Sequence, residues 1–313
     1  MKHFISTSRP AFSMLELIFV IVILGIVSSI GSELIAKVYS NYIVQRGAHK
    51  SSSKTSIAST QIANRISYAI PNTIIAIHPT TGAKRAIESL TLSDENNTIL
   101  QWTGSDHDSF NAGGWNGFAD VNDTVNTTET SISTPGSELA LANLIIGNIT
   151  GGSLATSAIF FPRTYNTHQI GYGDADTIVN STANDITGLT AISGFDDASH
   201  TLTVPDLRTD TKTIREHYKI SSSAYAIVPY KKDGTTICTV TDFPCDLVLK
   251  YNFQPWQGEN FDHNNASSKV LIRNISAFRF TGSSNTIRFK ICQEENIGGD
   301  YNITTCKEKA VIR

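Results

Sequence analysis

The residues from Phe12 to Ile30 form an apolar run that contains a single charged side chain, Glu16. As an α-helix this run would be about 28 Å long, which matches the hydrocarbon core of a bilayer. Lys2 and Arg9 lie on its N-terminal side, and positive residues favour the cytoplasmic side of a membrane. The sequence therefore predicts a single transmembrane segment over residues 12–31, with a cytoplasmic N-terminus and an exported body.

Helical periodicity continues beyond this segment. Apolar residues recur three or four positions apart, first at Leu34, Ile35, Val38, Tyr42 and Ile43 and then at Ile57, Ile62, Ile66 and Ile70. Pro71 cannot continue a helix because it lacks the backbone N–H. We predict one long helix over residues 12–70, with an interruption at Gly47.

Glu16 is unusual because a carboxylate inside a membrane helix costs about 3 kcal/mol unless it has a partner. The surrounding residues 9–18, Arg-Pro-Ala-Phe-Ser-Met-Leu-Glu-Leu-Ile, closely resemble the class III leader and assembly motif of type IV pilins and type II secretion pseudopilins. In that family a prepilin peptidase cuts just before the Phe and methylates the new N-terminus. The resemblance implies a leader over residues 1–11, processing between Ala11 and Phe12, and an assembly role for Glu16.

The physical reason for such a role is charge neutralisation. Glu16 can pair with the N-terminal amine of a neighbouring Phe12 inside an apolar filament core, so that each desolvated charge gains a counter-ion. The family usually has Gly before the cut, whereas this chain has Ala11. Since Ala is the smallest substitute, we expect slower or unchanged processing.

The resemblance also implies partners and a location. The partners would be other pilin or pseudopilin subunits, the prepilin peptidase and an inner-membrane assembly platform. The chain would cross the inner membrane once, with its body in the periplasm or in an extracellular filament. The layout is similar to J-type minor pseudopilins and W-type minor pilins, whereas K-type pseudopilins characteristically lack the assembly carboxylate that Glu16 supplies.

Two functions remain open at this point. The first is a minor structural subunit of a type IV pilus or type II secretion pseudopilus, and the length of 313 residues favours a minor subunit over a major one. The alternative is a pilin-like adhesin that binds a surface, a sugar or DNA through its exported domain, where Trp102, Trp115 and Trp256 are either a binding platform or core. A net charge of -3 gives no reason to expect nucleic acid, and no catalytic motif points to an enzyme.

The exported body divides by pattern into a loop-rich β region over residues 71–215 and a sheet over residues 216–313. In the second part, Leu247, Leu249, Tyr251 and Phe253 alternate with polar residues and should share one face. A hairpin is predicted from Phe278 and Phe280, through a turn at 282–285, to Ile287, Phe289 and Ile291. The predicted fold class is α+β, with the long helix packed on an antiparallel, pilin-like sheet domain.

The four cysteines all lie in the last quarter of the chain, and none has the spacing of a zinc site. We predict the disulfides Cys238–Cys245 and Cys292–Cys306, because each closes a short polar loop between strand-like runs. Crossed pairings remain open. Free thiols in a reducing cytoplasm are the other alternative, against which the predicted membrane segment argues.

Two further sites are predicted in polar loops. Asp106, Asp108, Asp120 and Asp123 supply the hard oxygen ligands that calcium prefers, although they fit no EF-hand spacing and a solvated acidic loop is the favoured interpretation. No other cofactor is indicated. Asn96, Asn122 and Asn302 lie in Asn-x-Thr sites with an acid two residues upstream, which resemble the acceptors of bacterial oligosaccharyltransferases; coincidence in an Asn- and Thr-rich chain is the alternative.

Overall fold

The structure is a computed structural model that describes residues 13–70, 73–90, 96–123, 130–161, 189–204, 216–283, 286–298 and 302–312. The fold class is α+β, as predicted, with a long N-terminal helix packed on an antiparallel sheet. The helices are α1 (Met14–Ile66), α2 (His107–Asn111) and α3 (Leu139–Thr150). The strands are β1 (Ile75–Ile77), β2 (Lys84–Ala86), β3 (Ile99–Gly104), β4 (Ser131–Ser133), β5 (Ala158–Phe160), β6 (Leu189–Ala191), β7 (Gly194–Asp196), β8 (Thr201–Thr203), β9 (Lys219–Ser221), β10 (Ser223–Tyr230), β11 (Cys245–Phe253), β12 (Ser267–Ser283), β13 (Thr286–Asn296) and β14 (Asn302–Ile312).

Helix α1 is continuous from Met14 to Ile66, and the interruption predicted at Gly47 is not present. It begins with a capping box, in which Ser13 and Glu16 satisfy each other's backbone N–H groups. At the other end, the N–H of Ser67 donates to the carbonyl of Ala63. The helix therefore stops a few residues before Pro71, close to the predicted end.

In the described part of the chain, the main sheet has eight strands in the order β14-β13-β12-β11-β10-β3-β1-β2, and every neighbouring pair is antiparallel. It is larger than the sheet predicted over residues 216–313, because three short strands from residues 75–104 complete it. Helix α1 packs on one face, which we call the helix-side core. Its buried members include Ala58, Ile62, Ile66, Leu100, Trp102, Ile227, Leu247, Leu249, Ile272, Phe278, Phe289 and Ile291.

The predicted hairpin is confirmed as strands β12 and β13. Phe278 pairs with Ile291, and Phe280 pairs with Phe289. Ile291 is buried with its neighbours on the same face, whereas Lys290 points to solvent. Of the predicted turn, residues 284–285 lie outside the described residues.

One predicted face assignment in β11 is wrong. Leu247 and Leu249 belong to the helix-side core, but Phe253 lies in a separate cluster on the opposite face. Asn252 causes the change, because it has a left-handed φ of 61° and forms a bulge opposite β10. An extra residue in a strand reverses the side on which the following side chain lies.

A second body lies beside the main sheet and comes mostly from residues 105–221. It contains two small sheets, with strand orders β4-β8-β7 and β6-β5-β9, and helix α3 covers their buried side chains. Trp115 belongs to this second core. Together with Trp102 and Trp256 it is at most 3% exposed, so the three tryptophans are core residues and form no surface platform.

Candidate assembly site

The first part of helix α1 stands free of the protein body. Its buried residues begin only at Gly47, and the large apolar side chains from Met14 to Ile35 are 52 to 82% exposed. We call residues 14–46 the free half of α1. At 1.5 Å per residue the free half is about 50 Å long.

The free half is long and apolar enough to cross a membrane, with a mean hydropathy of 2.5 in its most apolar window. After Glu16, the next charged residues are Glu33 and Lys37, which form an exposed ion pair one helical turn apart at 2.7 Å. The uncharged stretch between Glu16 and Glu33 spans about 24 Å. Glu16 is therefore the only ionisable group of the described residues within the apolar stretch.

Glu16 lies in the first turn of the helix and faces its N-terminal end. Its Oε2 accepts hydrogen bonds from the backbone N–H of Ser13 at 3.1 Å and from the Ser13 hydroxyl at 3.1 Å. In return, the N–H of Glu16 donates to Ser13 Oγ at 3.3 Å. A negative charge here is also stabilised by the helix macrodipole. The predicted processing residues, Ala11 and Phe12, lie outside the described residues.

The second half of α1 is fixed to the end of the β13–β14 hairpin. Lys50 and Lys54 both bind the Glu295 carboxylate, at 2.6 and 3.2 Å, and the Lys50 hydrogen bond is the main reason why the pKa of Glu295 is lowered. Gly47 lies so close to the hairpin that a Cβ atom there would be 2.5 Å from Ile297 Cγ2. Sequence reasoning missed this contact, although the spacing of small residues at Gly47, Ser51, Thr55 and Ser59 was a signal for a closely packed face.

Both predicted disulfides are present in the structure, Cys238–Cys245 and Cys292–Cys306. Cys238 and Cys245 lie in the helix-side core. Cys292 and Cys306 face each other across β13 and β14, in the same hairpin that holds α1. Disulfides of this kind persist in oxidising compartments, which suits an exported body.

The four predicted calcium ligands do not gather into a metal site. Asp106 is buried and caps α2 by accepting from the N–H of Ser109 at 3.3 Å, and burial raises its pKa. Asp120 accepts from the N–H groups of Asn122 and Asp123. Across the residues that the structure describes, no three His, Cys, Asp or Glu side chains are placed to share an ion, Asp108 included. Calcium binding remains an untested prediction.

The predicted glycosylation sites differ in their surroundings. Asn96 is exposed, but the hydroxyl of Thr98 in its motif is buried and donates to the carbonyl of Cys238 at 3.0 Å. Asn122 is exposed and lies in a helical segment over residues 121–123. Asn302 was expected in a loop, and this is wrong: it is the first residue of β14, and its amide donates to Glu294 Oε1 at 2.5 Å.

Comparison with known proteins gives no relative: no protein-family model, no curated protein and no solved structure matches this chain.

Proposed function

We propose that this chain is a minor structural subunit of a type IV pilus or of a type II secretion pseudopilus. In this role prepilin peptidase removes residues 1–11 and methylates the new amine of Phe12. The subunit then leaves the inner membrane by packing the free half of α1 among the helices of its neighbours. Its body stays on the periplasmic side or in the extracellular part of the filament.

The observation that carries this proposal is the length of the free half. A membrane span uses about 20 residues, or 30 Å, whereas the free half is about 50 Å long. The excess still carries large apolar side chains among its polar ones, since Val38, Tyr39 and Tyr42 are 56 to 65% exposed beyond the Glu33–Lys37 ion pair. Apolar side chains on a helix outside the bilayer favour contact with another protein. A bundle of like helices would cover them, and a plain membrane anchor would not.

Glu16 supports the same proposal through its position. In the membrane it is a carboxylate within an apolar stretch that has hydrogen bonds from Ser13 but no cationic partner among the described residues, which is costly. In a bundle Glu16 can neutralise the N-terminal amine of Phe12 in an adjacent subunit. Phe12 and Glu16 are about one helical turn apart in the sequence, so a small shift between neighbouring helices would bring the two charges together. The charge pair therefore favours the assembled state over the dispersed one.

Processing and assembly can be tested separately. Mass analysis of the N-terminal peptide from membranes of a strain with active prepilin peptidase should find methylated Phe12; retention of Met1 would contradict the proposal. For assembly, Glu16→Gln should leave the membrane level unchanged but reduce incorporation into sheared filaments or crosslinked complexes at least tenfold. Glu33→Gln is the matched control and should assemble normally, because its partner Lys37 is on the same helix. Equal incorporation of the two variants would show that Glu16 has no assembly role.

A further inference from the structure

Strand β12 is paired on both sides along only part of its length. It pairs with β11 from Ser267 onward, but its ladder with β13 begins only at Ile275. In the described part of the chain no strand pairs with the other side of residues 267–273. We call these residues the open edge. Along such an edge every second residue presents its N–H and C=O to the open side. At the β13 end of this edge, the carbonyl of Arg273 already accepts a hydrogen bond from Gln293 Nε2 at 3.3 Å.

Asn274 produces the open edge. It has a left-handed φ of 59°, which turns β12 away from β13 at this point. Its side-chain amide donates to the carbonyl of Glu294 at 2.6 Å, and its N–H donates to Asp246 Oδ1 at 3.0 Å. On the N-terminal side of Asn274, β12 remains paired with β11. The end of β13 instead contacts α1, because Glu295 binds Lys50 and Lys54. The sheet therefore forks at Asn274.

A cleft of about 720 Å³ lies in this fork. Six consecutive residues of β12, 268–273, line the cleft. Successive side chains of a strand point to opposite faces of the sheet, so a cleft lined by consecutive residues lies along the strand edge. Ile57 of α1 lines it on the helix side and is 59% exposed. Val270, which pairs with Val248 of the opposite-face cluster, also lines it and is 42% exposed. Apolar side chains thus border the open edge on both sides.

Among the residues that the structure describes, the charged side chains that line the cleft are basic: Lys54, Lys250, Lys269 and Arg273. Three of them form an ion pair with an acidic residue that does not line the cleft. The pairs are Lys54–Glu295 at 3.2 Å, Lys250–Asp262 at 3.9 Å and Arg273–Asp246 at 3.5 Å. Lys269 has no carboxylate within ion-pair distance among the described residues. The rim therefore keeps an excess of positive charge.

We propose that the open edge accepts an extended segment of a partner protein as an added β-strand. The segment would bond its backbone to residues 267–273, a length of about 23 Å. Its side chains would be β-branched and apolar where they meet Ile57 and Val270, and acidic where they meet Lys269. This inference does not depend on the assembly role of α1, since it concerns only the body of the purified subunit.

The test uses the purified full chain in detergent and a synthetic peptide, Glu-Val-Thr-Val-Thr-Val-Glu, followed by hydrogen-exchange mass spectrometry. The peptide should slow exchange of the amides of residues 267–273 at least fivefold. Two further peptides carry N-methyl groups, one on the three Val residues and the other on the two Thr residues. A strand bonds to an edge through alternate N–H groups, so one methylated peptide should lose binding at least tenfold and the other should retain it.

A matched pair of variants tests the charge. Lys269→Glu should weaken peptide binding at least tenfold, whereas Lys307→Glu, the same change on exposed β14, should not alter it. Absence of protection at residues 267–273, equal binding of both methylated peptides, or equal effects of the two variants would overturn the proposal.

Discussion

Mild reduction of the folded protein should open Cys292–Cys306 before Cys238–Cys245. Cys238 and Cys245 are 0 and 1% exposed, whereas Cys306 is exposed on β14, at the edge of the main sheet. A reductant must reach one of the two sulfurs before it can exchange with the disulfide. The pair on the hairpin is therefore accessible in the native state, and the core pair requires the core to open first.

The expected loss of stability follows from the loops that the disulfides close. The paired cysteines are 14 residues apart in the hairpin and 7 apart in the core pair. Loop-closure entropy then gives about 3 kcal/mol for the first and about 2.5 kcal/mol for the second. Serine in place of the core pair would also bury two hydroxyls among apolar side chains, which should cost about 2 kcal/mol more. Burial therefore reverses the order that loop length alone would predict.

Timed reduction, alkylation and peptide mapping would give the order of opening, and thermal unfolding would give the losses. The hairpin variant, Cys292→Ser with Cys306→Ser, should melt about 6 to 12 °C lower. The core variant, Cys238→Ser with Cys245→Ser, should melt lower still. Alkylation of Cys238 as early as Cys306, or a hairpin variant with the wild-type melting temperature, would refute the reasoning.

Three further changes test the docking of α1 and the bulge in β11. Glu295→Gln should cost about 1 kcal/mol at neutral pH, since the carboxylate loses its pairing with the two lysines. Because the pKa of Glu295 is lowered in the fold, this loss should shrink as the pH falls below the ordinary carboxyl pKa and vanish only below the lowered pKa; melting of Glu308→Gln across pH is the control. Gly47→Ala should destabilise by about 1 kcal/mol despite better helix propensity, and Ile297→Ala should relieve that loss in a double-mutant cycle. Asn252→Val should cost about 2 kcal/mol in thermal unfolding and Asn252→Gly far less, because only the first is strained at a left-handed φ.

Much of the architecture could be predicted from the sequence because it rests on local periodicity. The apolar stripe from Leu34 to Ile66 predicts α1, and the alternation around Phe278 and Phe289 predicts the β12–β13 hairpin. The disulfide pairing was predicted from the two short polar loops that the pairs close. Each of these patterns involves neighbours within one element or across one short turn.

The parts that were missed depend on single residues with unusual backbone or on distant pairing. Asn252 and Asn274 each have a left-handed φ within a strand, and nothing in the alternation of side chains reveals this. The first moves Phe253 to the other face, and the second opens the fork in the sheet. Strand β3 pairs with β10 across more than a hundred residues, for example at Leu100 and Ile227, so no short sequence window contains both partners.

The candidate site shows the same division between local and distant information. The apolar run and Glu16 are readable from the sequence, because they are one stretch of helix. The position at which the free half ends cannot be read from the sequence, because it depends on where the tip of a distant hairpin contacts α1. Gly47 was interpreted as a weak point in the helix, but its missing side chain is what lets Ile297 approach.

The buried side chains of α1 change in size along the helix, and this explains how one continuous helix can contact both the hairpin and the main sheet. Near the hairpin tip the buried residues are small, Gly47, Ser51 and Thr55, whereas deeper in the body they become Ile62 and Ile66. Small side chains bring the helix close to the hairpin backbone, and large ones fill the wider space above the sheet. Lys50 and Lys54, which lie within this stretch of small residues, hold the helix to the Glu295 carboxylate. Because burial stops at Gly47 while the helix continues without a break, the free half extends beyond the body with its apolar side chains exposed.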